Sequence, residues 1–335
     1  LDLPQPGADN ADPRSRHLVD PELLAGALAF PNLDLSPSGL AAARAQMEQV
    51  RQSLAAGIGA HPNILRRVEH APAASADVRL LVYRPRSTPE LRPMILSIHG
   101  GGLVMGSADM DDRENSRWAE DLACIIVSPD YRLAPETPYP GALEDCYAAL
   151  LWMHANAAGL GGDANRIAIM GKSAGGGLAA ALALLARDRG DVPIIHQHLI
   201  YPMLDDRLPR DPQHMLGDYV FTRENHDQCW HAYLGDMESG NAGYAVPGRR
   251  QDLAGLPPTF IGIGGLDLFV EAARDYAGKL KACGVHAEFH LYPGAYHGFD
   301  MVADALVTKR LASARREALW RAFDRPADGN GCDAA

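Results

Sequence analysis

Gly171-Lys172-Ser173-Ala174-Gly175 stands between the apolar run Arg166-Ile167-Ala168-Ile169-Met170 and an Ala/Leu-rich stretch from Gly176 to Arg187. That order predicts a strand, a tight turn and a helix. A serine at the apex of such a turn is held in a strained backbone conformation, and the residues two before and two after it must be very small. Gly171 and Gly175 meet the requirement, which makes Ser173 a nucleophile candidate. Gly171-Lys172-Ser173 also looks like the end of a phosphate-binding loop. That motif needs a further glycine five residues earlier, where Arg166 stands inside a predicted strand.

A serine hydroxyl is a weak nucleophile at neutral pH and needs a base, with a carboxylate to orient that base. In open α/β sheets such side chains come from loops at the C-terminal ends of strands, in the order serine, acid, histidine. Of the 13 histidines, only His286, His290 and His297 follow the last long apolar strand, Thr259 to Gly264. His286 and His290 flank or occupy a predicted strand. His297 sits in Pro293-Gly294-Ala295-Tyr296-His297-Gly298-Phe299, a glycine-bracketed loop, and is the base by this argument. The same rule points to Asp267 as the acid, with Glu271 second because it falls inside the next predicted helix. The competing reading of Asp267 is a cap for that helix, with the acid role favoured. The tetrahedral intermediate of acyl transfer carries a negative oxygen, which requires backbone NH groups aimed at one point. His99-Gly100-Gly101-Gly102, directly after a strand, suits this together with the NH of Ala174, and His99 itself is expected to order the loop.

These residues need a scaffold, and the pattern around them predicts one. A polar, proline-rich arm covers residues 1 to about 17, and a helix starts at Ser36-Pro37 and runs to Gly57. The first strand is expected at Val78 to Tyr83, followed by strands at Met94 to Ile98, Cys124 to Val127, Arg166 to Met170, Ile194 to Tyr201, Thr259 to Gly264 and Ala287 to Leu291. Helical patterns lie between them, and a last helix runs from about Asp304 to Phe323. Strands alternating with helices of this length indicate an α/β fold, a mainly parallel sheet covered on both faces. The expected division is an N-terminal arm with cap helices (1–65), a first core part (66–203), a cap insertion (204–256), a second core part (257–325) and a disordered tail (326–335). The aromatic side chains Tyr219, Phe221, Trp230 and Tyr233 are read as core of the cap. Leu103 and Phe299, each beside a site loop, are expected to line an acyl pocket.

The 335 residues are 47% hydrophobic, ample for a buried core. With 31 basic against 42 acidic residues, the net charge of -11 argues against nucleic acid and anionic membranes as partners. The first thirty residues hold no apolar segment long enough for a membrane helix, so neither a signal peptide nor a membrane helix is expected, although an opening on Leu1 leaves room for a removed leader. Five cysteines, Cys124, Cys146, Cys229, Cys283 and Cys332, form no close pair and fit reduced thiols in the cytoplasm. His196 and His198 share one strand face but have no ligand partners beside them, so no metal is expected. Asp109 to Asp112 and Asp205-Asp206 are read as solvated loop charges.

His-Gly-Gly-Gly at 99–102, Asp-Tyr-Arg-Leu-Ala-Pro-Glu at 130–136, Gly-x-Ser-Ala-Gly-Gly at 171–176 and Tyr-Pro-Gly-x-x-His-Gly-Phe at 292–299 together resemble the bacterial hormone-sensitive lipase family (family IV) of α/β-hydrolase carboxylesterases. The similarity runs from about residue 70 to 323. It implies an α/β-hydrolase fold with an eight-stranded sheet and a helical cap, a Ser173, Asp267, His297 triad, and oxyanion donors Gly101, Gly102 and Ala174. It also implies hydrolysis of small esters with short to medium acyl chains, no cofactor, and a monomer or homodimer. Lactone or amide hydrolysis would use the same residues. The plant gibberellin receptors resemble these esterases but lack the catalytic histidine, so His297 argues against a receptor.

Two positions depart from the family. Asp267-Leu268-Phe269 stands where Asp-Pro-Leu is frequent, which keeps the carboxylate. Lys172 stands where the family usually has aspartate before the serine. Strand alternation should turn Lys172 to the opposite face, toward a carboxylate such as Glu144 or Asp145. A sharper reading has its cation stabilise the serine alkoxide or an acidic substrate.

Overall fold

The computed structural model describes residues 13–55, 61–87, 91–208, 215–237 and 243–324. Most of the arm expected to be poorly ordered (1 to about 17), the tail 326–335 and the thiol of Cys332 lie outside them, whereas residues 13–17 are described and Ser15 is buried and bonded to Asp218, against that expectation. One eight-stranded sheet is formed by β1 (Ile64–Ala71), β2 (Val78–Pro85), β3 (Arg92–Ile98), β4 (Ile125–Pro129), β5 (Gly162–Lys172), β6 (His196–Ile200), β7 (Thr259–Gly264) and β8 (Ala287–Tyr292), in the order β1-β2-β4-β3-β5-β6-β7-β8. β2 runs antiparallel to both β1 and β4, and β4, β3, β5, β6, β7 and β8 are mutually parallel. The C-terminal ends of β3, β5, β6, β7 and β8 therefore open on one edge.

The sequence reading opens the sheet at Val78 and passes over β1. That strand lies at the edge and keeps most of its side chains exposed, with Arg66, Arg67, Glu69 and His70 among its eight residues. It lacks the apolar run that marks a strand covered on both faces.

The helices are α1 (Leu24–Ala29), α2 (Leu40–Ala55), α3 (Asp112–Asp121), α4 (Gly141–Ala155), α5 (Ala157–Leu160), α6 (Ala174–Arg189), α7 (Arg223–Leu234), α8 (Val270–Ala282) and α9 (Leu306–Asp324). Alternation along the central strands decides which helix each side chain meets. On β5, Ile167 and Ile169 join the larger core with Cys146, Leu150 and Met153 of α4 and Leu178 and Leu182 of α6. Ala168 and Met170 face the other way, into a second core with Trp118 of α3, Leu122 just after it, and Leu319 and Phe323 of α9. Among the described residues, no helix is long and apolar enough to cross a membrane.

The segment between β6 and β7 is a long connection from Tyr201 to Pro258. Its described part carries α7, whose N-terminus is closed by a capping box between Thr222 and Asn225. The Asn225 amide also donates to Leu33 O at 2.8 Å, and Ser15 Oγ donates to Asp218 at 2.6 Å. The N-terminal segment and this insertion are thereby tied to each other as well as to the sheet.

Candidate functional site

Ser173 directly follows β5 and has φ 53° and ψ -121°. The turn closes so tightly that a Cβ on Gly171 would lie 2.1 Å from Gly175 O, and one on Gly175 would lie 2.1 Å from Ile98 O. Any larger residue at either position would displace backbone, which is the physical content of the small-residue rule for this turn.

His297 and Asp267 come from the loops after β8 and β7. Ser173 Oγ lies 2.9 Å from His297 Nε2, and His297 Nδ1 lies 2.9 Å from Asp267 Oδ2. All three are buried. Asp267 does not cap α8, whose N-cap is Phe269 with no side-chain cap bond; its Oδ1 accepts the NH of Phe269 at 2.9 Å in the turn before that helix. The two oxygens thus divide the orienting and the turn-forming bonds. Glu271 lies in the first turn of α8 on the surface, with Arg274 at 3.7 Å.

The glycine loop after β3 runs alongside the serine turn, and a Cβ on Gly100 would come within 3.5 Å of Ser173 Cβ. Gly101 and Gly102 have φ of 111° and 63°. The loop is held through its carbonyls. Val104 and Met105 NH donate to Gly101 O, Ala134 NH to Leu103 O, and the Tyr131 hydroxyl to His99 O. The buried His99 ring stacks on Tyr131 with centroids 4.1 Å apart, and its Nδ1 lies 2.8 Å from Gly100 O. Burial holds the imidazole down to about 4, so it is neutral and donates that bond.

Three rings that the sequence reading did not connect to His297 surround it: Tyr201 at 4.7 Å, Phe269 at 5.1 Å and Phe221 at 5.4 Å between centroids. Tyr201 stands at the C-terminal end of β6, so the strand-end rule that selects His297 could also have found it. A small cavity of about 10 Å³ adjoins the turn and is lined by Leu103, Ala174, Leu178, Met203, Trp230 and Tyr233, among others. Trp230 and Tyr233 thus form a cavity wall as well as cap packing. Phe299 does not line this cavity; it is buried and packs on Tyr292.

The partners expected for Lys172 are corrected. Lys172 shares the strand face of Met170, so it meets α3 and α9, whereas α4 with Glu144 and Asp145 covers the opposite face. Lys172 Nζ contacts a carboxylate oxygen of Glu114 and lies 2.9 Å from Asp300 Oδ2. Asp145 instead binds Arg132, with guanidinium contacts at 2.7 and 2.8 Å. The Lys172 charge is committed to these carboxylates behind the turn.

The other acidic runs are not solvated loop charges either. Asp109 pairs with Arg66 and Arg79, and Asp111 faces the Lys172 cluster. Asp205 pairs with Arg207 and Asp206 with Arg249. His198 is buried, stacked on Phe260 and 3.3 Å from Arg315 Nε. Among the described residues, no group of three or more histidine, cysteine, aspartate or glutamate side chains is arranged to hold a metal.

A family model described as alpha/beta hydrolase fold matches residues 95–301. Carboxylesterase NlhH of Mycobacterium tuberculosis is 35% identical over 307 residues, covering 88% of this chain and 92% of the relative. Bovine hormone-sensitive lipase is 40% identical over 116 residues, which is 35% of this chain and 15% of that much longer protein. Among solved structures, a bacterial heroin esterase superposes with a TM-score of 0.87 at 38% identity, over 93% of this chain and all of its own. With these matches, the chain belongs to the α/β-hydrolase family, in the group related to hormone-sensitive lipase.

Proposed function

We propose that the protein is a serine carboxylesterase that cleaves small esters with short to medium acyl chains through an acyl-enzyme on Ser173. The hydrogen-bonded series Ser173, His297, Asp267 carries this reading. His297 Nε2 takes the Ser173 proton as Oγ attacks the ester carbonyl carbon. Asp267 holds the Nδ1–H tautomer and stabilises the imidazolium. The carbonyl oxygen becomes an oxyanion that accepts from the NH groups of Gly101, Gly102 and Ala174. Collapse of the intermediate breaks the bond to the alcohol, which leaves with the proton from His297. Water, deprotonated by His297, then attacks the acyl-enzyme and releases the acid.

The loop bonds support the oxyanion assignment, because the carbonyls of His99, Gly100, Gly101 and Leu103 are engaged in holding the loop beside the serine turn. No step needs a metal or cofactor. The N-terminal segment to residue 65 and the insertion 204–256 act as a cap, and the cavity under Trp230 and Tyr233 takes the acyl chain. The free thiols of Cys124, Cys146, Cys229 and Cys283 suit a cytoplasmic enzyme, working as a monomer or homodimer.

The test is labelling by a fluorophosphonate together with turnover of p-nitrophenyl butyrate. Label on Ser173 and loss of turnover in Ser173→Ala are expected. A folded protein that takes no label would remove the hydrolase assignment. A panel of esters, lactones and N-acyl substrates, with Ser173→Ala as the blank, is expected to rank simple esters first.

A further inference from the structure

Behind the serine turn, on the face covered by α3 and α9, lies a partly buried cluster of charges that the proposed mechanism leaves unused. Glu114 takes Arg315 Nη1 at 2.8 Å as well as the Lys172 ammonium. Asp300 accepts from Lys172 at 2.9 Å with one oxygen and from the Tyr201 hydroxyl at 2.6 Å with the other. Burial opposes the charge on Lys172, yet Asp300 and Glu114 outweigh it and hold the ammonium above the ordinary lysine range. Burial likewise opposes the Asp300 charge, and Lys172 more than offsets it, so the pair is ionised at neutral pH.

The place of these residues in the chain gives the cluster its meaning. Lys172 is bonded directly to Ser173. Asp300 follows His297 by three residues, in the 3-10 turn Phe299–Met301. Tyr201 follows β6, whose Ile200 O accepts the Ser173 NH at 2.9 Å, and its ring meets the His297 ring edge-on. The contacts close a ring: Ser173 to Lys172 by a peptide bond, Lys172 to Asp300 by an ion pair, Asp300 to His297 by two intervening residues, and His297 back to Ser173 by a 2.9 Å hydrogen bond.

We infer that Lys172, Asp300 and Tyr201 are positioning residues that fix the histidine loop against the serine turn. Ser173 and His297 come from separate loops 124 residues apart in sequence. Their alignment must survive repeated charging and discharging of the imidazole during turnover. An ion pair anchored on the residue next to the serine locks the two loops from behind, where substrate does not reach. The inference rests on Ser173 and His297 being nucleophile and base.

Asp300→Asn keeps an acceptor for Tyr201 and removes the charge facing Lys172. Tyr201→Phe keeps the ring and removes the hydroxyl. With p-nitrophenyl butyrate, Asp300→Asn is expected to lower kcat about tenfold or more with KM changed less than about twofold, because misplacing reacting groups costs rate rather than binding. Tyr201→Phe is expected to lower kcat about threefold. The double variant should lose no more than about twofold beyond Asp300→Asn, since both cut one connection. Lys172→Met should follow Asp300→Asn, and Lys172→Arg should recover most of kcat. If the charge variants fail to fold, Tyr201→Phe, which leaves every charge paired, decides alone. Turnover by the parent enzyme and its loss in Ser173→Ala establish the nucleophile independently. Given that result, the bridge is overturned if folded variants keep kcat within about twofold of the parent. It is equally overturned if kcat losses multiply in the double variant, or if the change is in KM alone.

Discussion

Asp267 Oδ2 lies 2.9 Å from His297 Nδ1 while Asp267 Oδ1 accepts the NH of Phe269, so the carboxylate that orients the imidazole is itself fixed by the backbone. Asp267→Asn would present either an amide NH₂ or a poorer acceptor to Nδ1 and favour the wrong tautomer. A fall in kcat of about 10³- to 10⁴-fold is expected, with the fold retained because Asn can still accept from Phe269. Steady-state kinetics alongside circular dichroism check it, and a loss under about tenfold would count against the assigned acid.

The glycine loop should tolerate change unequally. A Cβ on Gly101 would lie 2.2 Å from Met105 O, a backbone atom, whereas one on Gly102 would lie 2.5 Å from Cys229 Sγ. Both alanine variants are expected to lose about 10²- to 10³-fold in kcat, the scale of one oxyanion donor. Adding Cys229→Ala should restore part of the Gly102→Ala loss and none of the Gly101→Ala loss. Equal rescue of both variants would show that steric contact with Cys229 is not what separates them.

Acyl preference should follow the volume beside Ala174. Trp230 and Ala181 both line the cavity. Trp230→Ala should move the optimum of kcat/KM toward longer chains. About 0.8 kcal/mol per newly buried methylene corresponds to roughly fourfold each. Ala181→Leu should move it toward acetyl esters. A series of p-nitrophenyl esters from acetate to octanoate reads both shifts, and an unchanged profile would place the acyl chain elsewhere.

The cluster around Lys172 should leave a mark on stability against pH. Burial raises the Asp111 carboxyl to about 6, with Glu114 and Asp300 adding to the shift and Lys172 only partly opposing it. The folded state therefore holds that proton more tightly than the unfolded chain. This contribution to stability is complete below about pH 4 and is lost as pH rises through 6. Asp111→Asn, neutral throughout, is expected to be more stable than the parent at neutral pH by at most about 3 kcal/mol. The difference should vanish near pH 4. Urea unfolding at both pH values measures this, and an equal difference at both would assign the effect to something other than ionisation.

Local sequence determined a great deal here, and for identifiable reasons. The G-x-S-x-G turn is legible because its geometry admits only very small residues at 171 and 175, so chemistry and backbone constraint are written in the same five positions. The central strands are legible because helices cover both faces, leaving continuous apolar runs such as Ile167 to Met170. Asp267 and His297 are legible because each stands in a loop directly after a strand, and parallel strands bring those loops to one edge of the sheet. The edge strand β1 carries no such run, since one side of its backbone pairs with β2 and most of its side chains meet solvent.

What tertiary structure alone decided is which distant charges meet. Alternation along β5 places Lys172 on the face opposite the serine-side packing, but periodicity does not say which helix covers that face. The folded chain brings α3 and α9 there, so Glu114 and Arg315 join Lys172 although 58 and 201 residues separate them from Lys172 and Glu114 respectively. Asp300 completes the set from the loop that carries His297. Ion pairs between remote segments leave no spacing or period in a single sequence, because only the packing of the helices onto the sheet sets their distance.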